Sequence, residues 1–314
     1  MINFLFLGLS LFLLVQCAAF AIRYASNLAK GLRVSRYLVG FLLLSVISVL
    51  PETFVSIASA LQNRPSFGLG TLFGSNVADL TLVFAVVIFI SNRNVKVEST
   101  IIKNSLLYIL AMTAPIIFGL DGHYTRIEGV ALMLVGAAFY TLMLTRSNRS
   151  ASKKRRIFLW KDFTLLLGSM VGLLVVSNLT VHFGVALAEH LRINPVLVAM
   201  LLVGLGTTLP EMFFSIKAIK SNRDSLAMGD VLGTVITDAT IIVGLLAVIH
   251  PFSFNQRIVY VTGMFMVFAT VILMYCMKTG KILTKREGLL LLFYYIFFIL
   301  VEFSVGNYLT NLGL

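Results

Sequence analysis

Apolar residues in this chain come in long unbroken runs, without the one-sided stripe of a soluble helix or the alternation of a half-buried strand. A helix crossing a hydrocarbon core of about 30 Å needs roughly 20 mostly apolar residues. Ten runs of that scale are separated by charged or turn-forming residues: 2–22, 37–61, 67–90, 101–120, 127–144, 163–181, 195–219, 226–249, 258–277 and 289–303. Backbone groups in lipid must find their partners within the segment, so each run reads as a helix. The first begins at Met1 with no basic n-region and no small-residue cleavage site, and reads as a retained helix, not a signal peptide.

Composition agrees. Of 314 residues, 59% are hydrophobic and only 12% charged, far outside the range of a soluble domain. The net charge of +12 would in a soluble protein suggest nucleic acid or acidic partners. Its distribution argues otherwise. If ten spans alternate and 146–161 is cytoplasmic, the five inside connections hold 21 of the 25 Lys and Arg, and the other side keeps only Arg64, Arg126, Arg192 and Arg257. That is the positive-inside pattern, with both termini outside the cell membrane. Lys153-Lys154-Arg155-Arg156 then reads as part of an inside loop, not as a nucleic-acid site, and Trp160 as an interface anchor. Cys17 and Cys276 stand singly and give no disulfide or metal framework. His123, His182, His190 and His250 fall at span ends or loops without metal-site spacing.

Placed against itself at an offset of 159, the chain aligns Pro51-Glu52 with Pro210-Glu211 and keeps register to Thr81 and Thr240. Twelve of the 31 positions are identical, and they are mostly Pro, Glu, Asp, Gly and hydroxyl residues, which chance similarity between apolar helices would not match. Each copy covers two helices, and each half contains five. An odd number per half makes the second copy enter from the opposite side, the inverted-topology repeat that in transporters sets the substrate site near the midplane. The expected organisation is a first five-helix repeat over 1–145 (motif 45–81), a basic cytoplasmic linker over 146–161, and a second repeat over 162–314 (motif 204–240).

Glu52, Asp79, Glu211 and Asp238 fall deep inside these spans. An ionised side chain at the bilayer centre costs roughly 2.5–3.5 kcal/mol even on the lenient insertion scale, so the four must face protein, water or cation. No Lys or Arg lies near the middle of a span to pair with them, leaving bound cations or protons. Oxygen surrounds them, as hard cations require. Ser45, Ser48, Glu52, Ser56 and Ser59 form a polar stripe, as do Thr207, Thr208, Glu211 and Ser215. Ser75 and Thr234 precede Asp79 and Asp238 by four residues. Pro51 and Pro210 should free the carbonyls of Ile47 and Gly206 for a cation. Gly70-x-x-x-Gly74 and Gly229-x-x-x-Gly233 read as close helix packing. No P-loop, nucleophile elbow or dinucleotide fingerprint occurs, so nothing points to an enzyme, an ATP-driven pump or a bound cofactor. The intramembrane aspartyl protease, with Asp79 and Asp238 as a dyad, is the alternative from another class.

Gly206-Thr207-Thr208-Leu209-Pro210-Glu211 and Gly74-Ser75-Asn76-Val77-Ala78-Asp79 resemble the alpha-repeat motifs of the sodium/calcium exchangers in the cation/calcium exchanger superfamily. The resemblance implies electrogenic antiport of Na⁺ against Ca²⁺. Beyond metal cations and the bilayer, the sequence gives no sign of an obligate protein partner. Carried over by position, it implies Glu52 and Glu211 as calcium carboxylates, joined by the carbonyls of Ser48 and Thr207. Asp79 and Asp238 fall where the family usually places one Asn and one Asp. Ser75, Thr208 and Thr234 match hydroxyls of the flanking sodium sites. The first copy departs from the pattern, because Val49 lacks the hydroxyl that Thr208 keeps, and Val235 replaces the Asn that Asn76 represents. Coupling to H⁺, or transport of another divalent cation, is therefore the alternative within transport.

Overall fold

The computed structural model describes residues 2–29, 45–146 and 160–311. Ten apolar helices make up the described chain. They are α1 (Ile2–Ala29), α2 (Leu50–Leu61), α3 (Pro65–Ile90), α4 (Ser105–Phe118), α5 (Arg126–Arg146), α6 (Trp160–Leu191), α7 (Pro195–Lys220), α8 (Asp224–Ile249), α9 (Ile258–Lys278) and α10 (Lys285–Asn311). Eight are long and apolar enough to cross a bilayer by themselves, and α2 and α4 are shorter. The start of the second expected span and most of the basic linker lie outside the described residues. The sixth helix runs ten residues past its expected end, so His182 is an exposed residue within it and not at its boundary.

Burial sorts the helices into layers. The most apolar 18-residue stretches of α3 and α8 are 78% buried and form the centre, whereas those of α6 and α10 are 28% buried and turn Leu174, Val175, Phe293 and Phe297 outward. Such apolar exteriors suit lipid, where there is no solvent reason to hide them. Two cores result. One joins α3, α4, α5, α8, α9 and α10 with parts of α2 and α7; the other joins α1 and α6 to the facing sides of α2, α3 and α7.

The offset of 159 reappears as geometry both inside the motif window and well beyond it. Asn63 and Asn222 both adopt left-handed backbone, φ 57° and 55°, at the α2–α3 and α7–α8 corners. Thr125 and Glu128 form a capping box at the start of α5, and Thr284 and Glu287 form its counterpart before α10. Four two-residue strands clasp the halves at opposite ends: β1 (Val95–Lys96) pairs antiparallel with β4 (Ile282–Leu283), and β2 (His123–Tyr124) with β3 (Phe252–Ser253). Beside the first clasp, Arg93 grips Asp224 through two 2.6 Å hydrogen bonds and Asn222 through one of 2.8 Å. Asp224 thereby holds the Arg93 guanidinium above its ordinary pKa.

Glycine sets the closest crossing. A Cβ on Gly74 would run into the Met200 carbonyl group, and one on Gly70 would lie 2.8 Å from Val196, so α3 and α7 touch backbone to backbone as the Gly-x-x-x-Gly spacing implies.

Candidate functional site

Local chain breaks place the four acids. Pro51 cannot donate to the carbonyl of Ile47, and the helical turn Ser45–Ser48 is interrupted at Val49 before α2 begins, with Glu52 in its first turn. Glu211 follows Pro210 inside α7. Asp79 opens a π-helical turn, Asp79–Val83, in α3, and Asp238 sits second in its counterpart, Thr237–Ile242, in α8. A π turn shifts the hydrogen-bond ladder by one residue and is characteristic of functional positions.

The four carboxylates come together. All are 0% exposed. Glu52, Asp79, Glu211 and Asp238 lie within electrostatic reach of one another across the boundary between the halves. Thr207 stands against Glu52 and Thr208 against Asp79, but both hydroxyls donate to the Gly204 carbonyl, at 3.0 and 2.9 Å, and leave their lone pairs free. Ser75 likewise donates to Leu72.

Hydrogen-bond accounting isolates the site. Among the described residues, fourteen buried side-chain N or O atoms have no hydrogen-bond partner. Thirteen belong to the two motif windows, and every one of these is an oxygen: both oxygens of each of the four acids, with Ser56, Ser215, Asn76, Thr234 and Asp230. Native interiors leave few such atoms, and each costs about 1–3 kcal/mol, more when charged. An all-oxygen set of this kind fits Na⁺ or Ca²⁺ and suits neither zinc nor copper. No three His, Cys, Asp or Glu side chains among the described residues stand close enough to hold an ion by themselves. Carboxylates would therefore act one or two at a time, with hydroxyls and carbonyls completing the shell.

Besides Asp224, which Arg93 holds at the start of α8, two buried acids correct the expected count of four. Glu302, in α10, is 1% exposed and is paired: Arg257 Nη2 donates to its Oε2 at 2.5 Å and Thr262 to its Oε1 at 2.5 Å. Asp230, in α8, is 0% exposed, and Ser48 Oγ donates to its Oδ1 at 2.9 Å. It lies near the start of its span, where an acid reads as an end residue. Its signal was the spacing: Asp230, Thr234 and Asp238 recur every four residues on one helical face.

The four acids are shielded from solvent, each 0% exposed. A cavity of about 720 Å³ opens beside Asn63, Arg64 and His250 and reaches inward to Met200, Thr262 and Glu302, but none of the four acids lines it.

A family model described as sodium/calcium exchanger protein matches residues 2–145 and 161–304. The chain is 26% identical to the sodium/calcium exchanger MaX1 of Methanosarcina acetivorans, over 97% of this chain and 99% of that one. It is 27% identical to the putative antiporter CaxA of Alkalimonas amylolytica, over 96% and 98%, and 24% identical to the inner membrane protein YrbG of Escherichia coli, over 77% and 78%. Among solved structures, the sodium-calcium exchanger NCX_Mj soaked with 2.5 mM Na⁺ and 10 mM Sr²⁺ superposes with a TM-score of 0.71 over 96% of this chain and 98% of that one. At 22% identity that likeness establishes the fold.

Proposed function

Because the chain belongs to the sodium/calcium exchanger protein family, and is a multi-pass membrane antiporter and not an enzyme, we propose that it exchanges Ca²⁺ for Na⁺ across the cell membrane. The observation that carries this reading is the concentration of buried, unpartnered oxygens in the two motif windows. Glu52 and Glu211 bind Ca²⁺ with the carbonyls of Ser48 and Thr207. Asp79, Asp238, Ser75, Thr208 and Thr234 serve the counter-ion. The two halves, 1–145 and 162–314, meet at these residues, and the linker 146–161 lies in the cytoplasm with both termini outside.

Charge explains why such a site would exchange and not leak. Two carboxylates about 4 Å apart repel by roughly 4 kcal/mol at an effective dielectric of 20. An ion-free cluster of acids therefore resists dehydration, and the closed state forms only when cations neutralise it. Each crossing then carries cargo, Ca²⁺ one way and Na⁺ the other. The moving part is the α1 and α6 pair, which shares a core separate from the α8–α10 side and slides to open the acids to one face at a time.

Proton coupling is the second reading, favoured by the missing hydroxyl at Val49 and the acid at Asp79. Uptake of ⁴⁵Ca²⁺ into proteoliposomes under separate outward Na⁺ and H⁺ gradients distinguishes them. Uptake driven by Na⁺ alone, and reduced at least about 100-fold by Glu211→Gln, is the expected result. A flux needing neither gradient would indicate a channel and overturn exchange.

A further inference from the structure

The two strand clasps share a backbone but not their side chains. At the offset of 159, Asn92, Arg93, Asn94, Lys285 and Arg286 beside the first clasp correspond to Pro251, Phe252, Ser253, Arg126 and Ile127 beside the second. The first set, with Thr284, lines an open pocket of about 470 Å³ between the α3–α4 and α9–α10 loops, on the face placed in the cytoplasm above. The carboxylates near it are already engaged. Asp224 is held by Arg93, and Glu287 accepts from the backbone and hydroxyl of Thr284 and from Thr279. Lys285 and Arg286 are exposed, and neither has an ion pair or a side-chain hydrogen bond among the described residues. Apolar surface continues one to two helical turns further into the membrane. Phe89 and Ile90 at the end of α3, and Leu289, Leu290 and Phe293 in α10, are between 38% and 61% exposed. The two helices touch at this level, where a Cβ on Gly288 would lie 3.0 Å from Ile88.

We infer that this pocket seats the headgroup of an anionic phospholipid, with Lys285 and Arg286 on its phosphate, Asn92 and Asn94 as neutral donors, and the acyl chains against the exposed apolar residues of α3 and α10. Charge is the first argument. Two bases stand unpaired at the start of α10, where the positive end of the helix dipole adds to them, while Arg93 is spent on Asp224. Shape is the second. Orienting the chain in the membrane requires bases only somewhere in the inside loops, whereas these ring a concave pocket between two spans, the kind of place where anionic headgroups bind. The third is continuity with the lipid-facing surface, which a free phosphate would leave unused and a phospholipid covers. The other end of the molecule supplies the contrast, since the same backbone there carries Phe252 and Ile127 in place of Arg93 and Arg286. The inference requires that the chain span a bilayer, but not that it exchange any particular ions.

The test is made on the purified full chain, freed of lipid in a neutral detergent. Tm is followed as dioleoyl phosphatidylglycerol or dioleoyl phosphatidylcholine is added to the micelles at constant ionic strength, since a ligand of the folded state raises Tm with its concentration. Inorganic phosphate and glycerol phosphate form separate arms. Tm should rise with phosphatidylglycerol and with none of the other three. Lys285→Gln or Arg286→Gln should raise the half-effective mole fraction of phosphatidylglycerol about fivefold, and the two together at least about tenfold. Lys217→Gln with Lys220→Gln removes the same charge from the same face at the end of α7, and should move it less than about twofold. All four side chains are exposed, so the variants should fold, and either single variant carries the test by itself. No response to phosphatidylglycerol, an equal response to phosphatidylcholine, or equal shifts in the two double variants would overturn the inference. Equal protection by either free phosphate would overturn it too, in favour of a soluble anion. Absence of Na⁺-driven Ca²⁺ flux in proteoliposomes would sink the exchange reading and leave this pocket standing, whereas flux with no lipid response in Tm would do the reverse.

Discussion

At the residue scale, the acids of the two motifs are in conflict with the stability of their own fold. Each of Glu52, Asp79, Glu211 and Asp238 is buried with both oxygens unpartnered, and they face one another. Groups that bind a charged ligand are those a folded protein would otherwise replace. Glu211→Gln and Glu52→Gln should therefore raise the Tm of the ion-free protein, by roughly 2–4 °C per kcal/mol relieved, while abolishing the rise in Tm that Ca²⁺ gives the native chain. Thermal scans with and without Ca²⁺ check both signs. A fall in ion-free Tm would mean that these carboxylates have partners within the protein. The motif acids were legible in the sequence because an uncompensated charge in a 20-residue apolar run is conspicuous. Asp230 and Glu302 were not, because each lies near a span end, where an acid is ordinarily solvated.

At the element scale, close crossings and loop clasps hold the broken helices in place. Gly74 lets α3 press its backbone on Met200 of α7, just where a π turn, Ala199–Val203, relaxes the facing helix. Gly74→Val should cost about 1–3 kcal/mol through overpacking, read as a lowered Tm, and should weaken Ca²⁺ binding by spreading the halves. The α4–α5 loop offers a pH probe. Tyr124 donates a 2.5 Å hydrogen bond to the Pro115 carbonyl and packs its ring at a tilt against Phe254, and burial, then the charges of Glu128 and Asp121, push its phenol well above the usual value. In the unfolded chain it would ionise near pH 10. Its folded pKa being raised, the stability it contributes is complete below pH 10 and falls as pH rises above that value. Tyr124→Phe should lower stability at neutral pH by about 1 kcal/mol, through the lost hydrogen bond, and flatten the alkaline decline. Denaturation midpoints at pH 8 and pH 11 measure the difference. The left-handed corners fall on Asn63 and Asn222, which the aligned window already pairs, whereas the capping boxes lie outside that window and read as loop residues until their shared hydrogen bonds place them in the duplication.

At the scale of the whole molecule, the α1–α6 pair shares a core with the facing sides of α2, α3 and α7, apart from the α8–α10 side. A Cβ built at Gly172 lies 3.8 Å from that of Cys17, the spacing of a disulfide, so Cys17 oxidised with Gly172→Cys should join α1 to α6. If the two helices slide together, this bond leaves flux within about twofold of the reduced protein. Leu11 packs on Gly206 of α7. A short bifunctional thiol reagent joining Leu11→Cys to Gly206→Cys should instead stop flux, reversibly on reduction. Arrest by the first link, or none by the second, would exclude α1 and α6 as the moving pair.

What the chain determined alone was local or periodic. Run length required helices, because the backbone of a lipid-spanning segment must bond to itself; the odd number of helices per half and the duplicated motif implied inversion; and acids in the spans without bases pointed to bound cations or protons. Tertiary structure decided what depends on how helices rotate and slide against one another. Ser48 reaches Asp230 across 182 residues, Arg257 neutralises Glu302 from another helix, and the acids close to solvent without lining the one large cavity described here. None of these follows from spacing within a helix. Apolar surfaces in lipid pack in many registers of similar energy, and it is the few interhelical polar contacts and glycine crossings that select one.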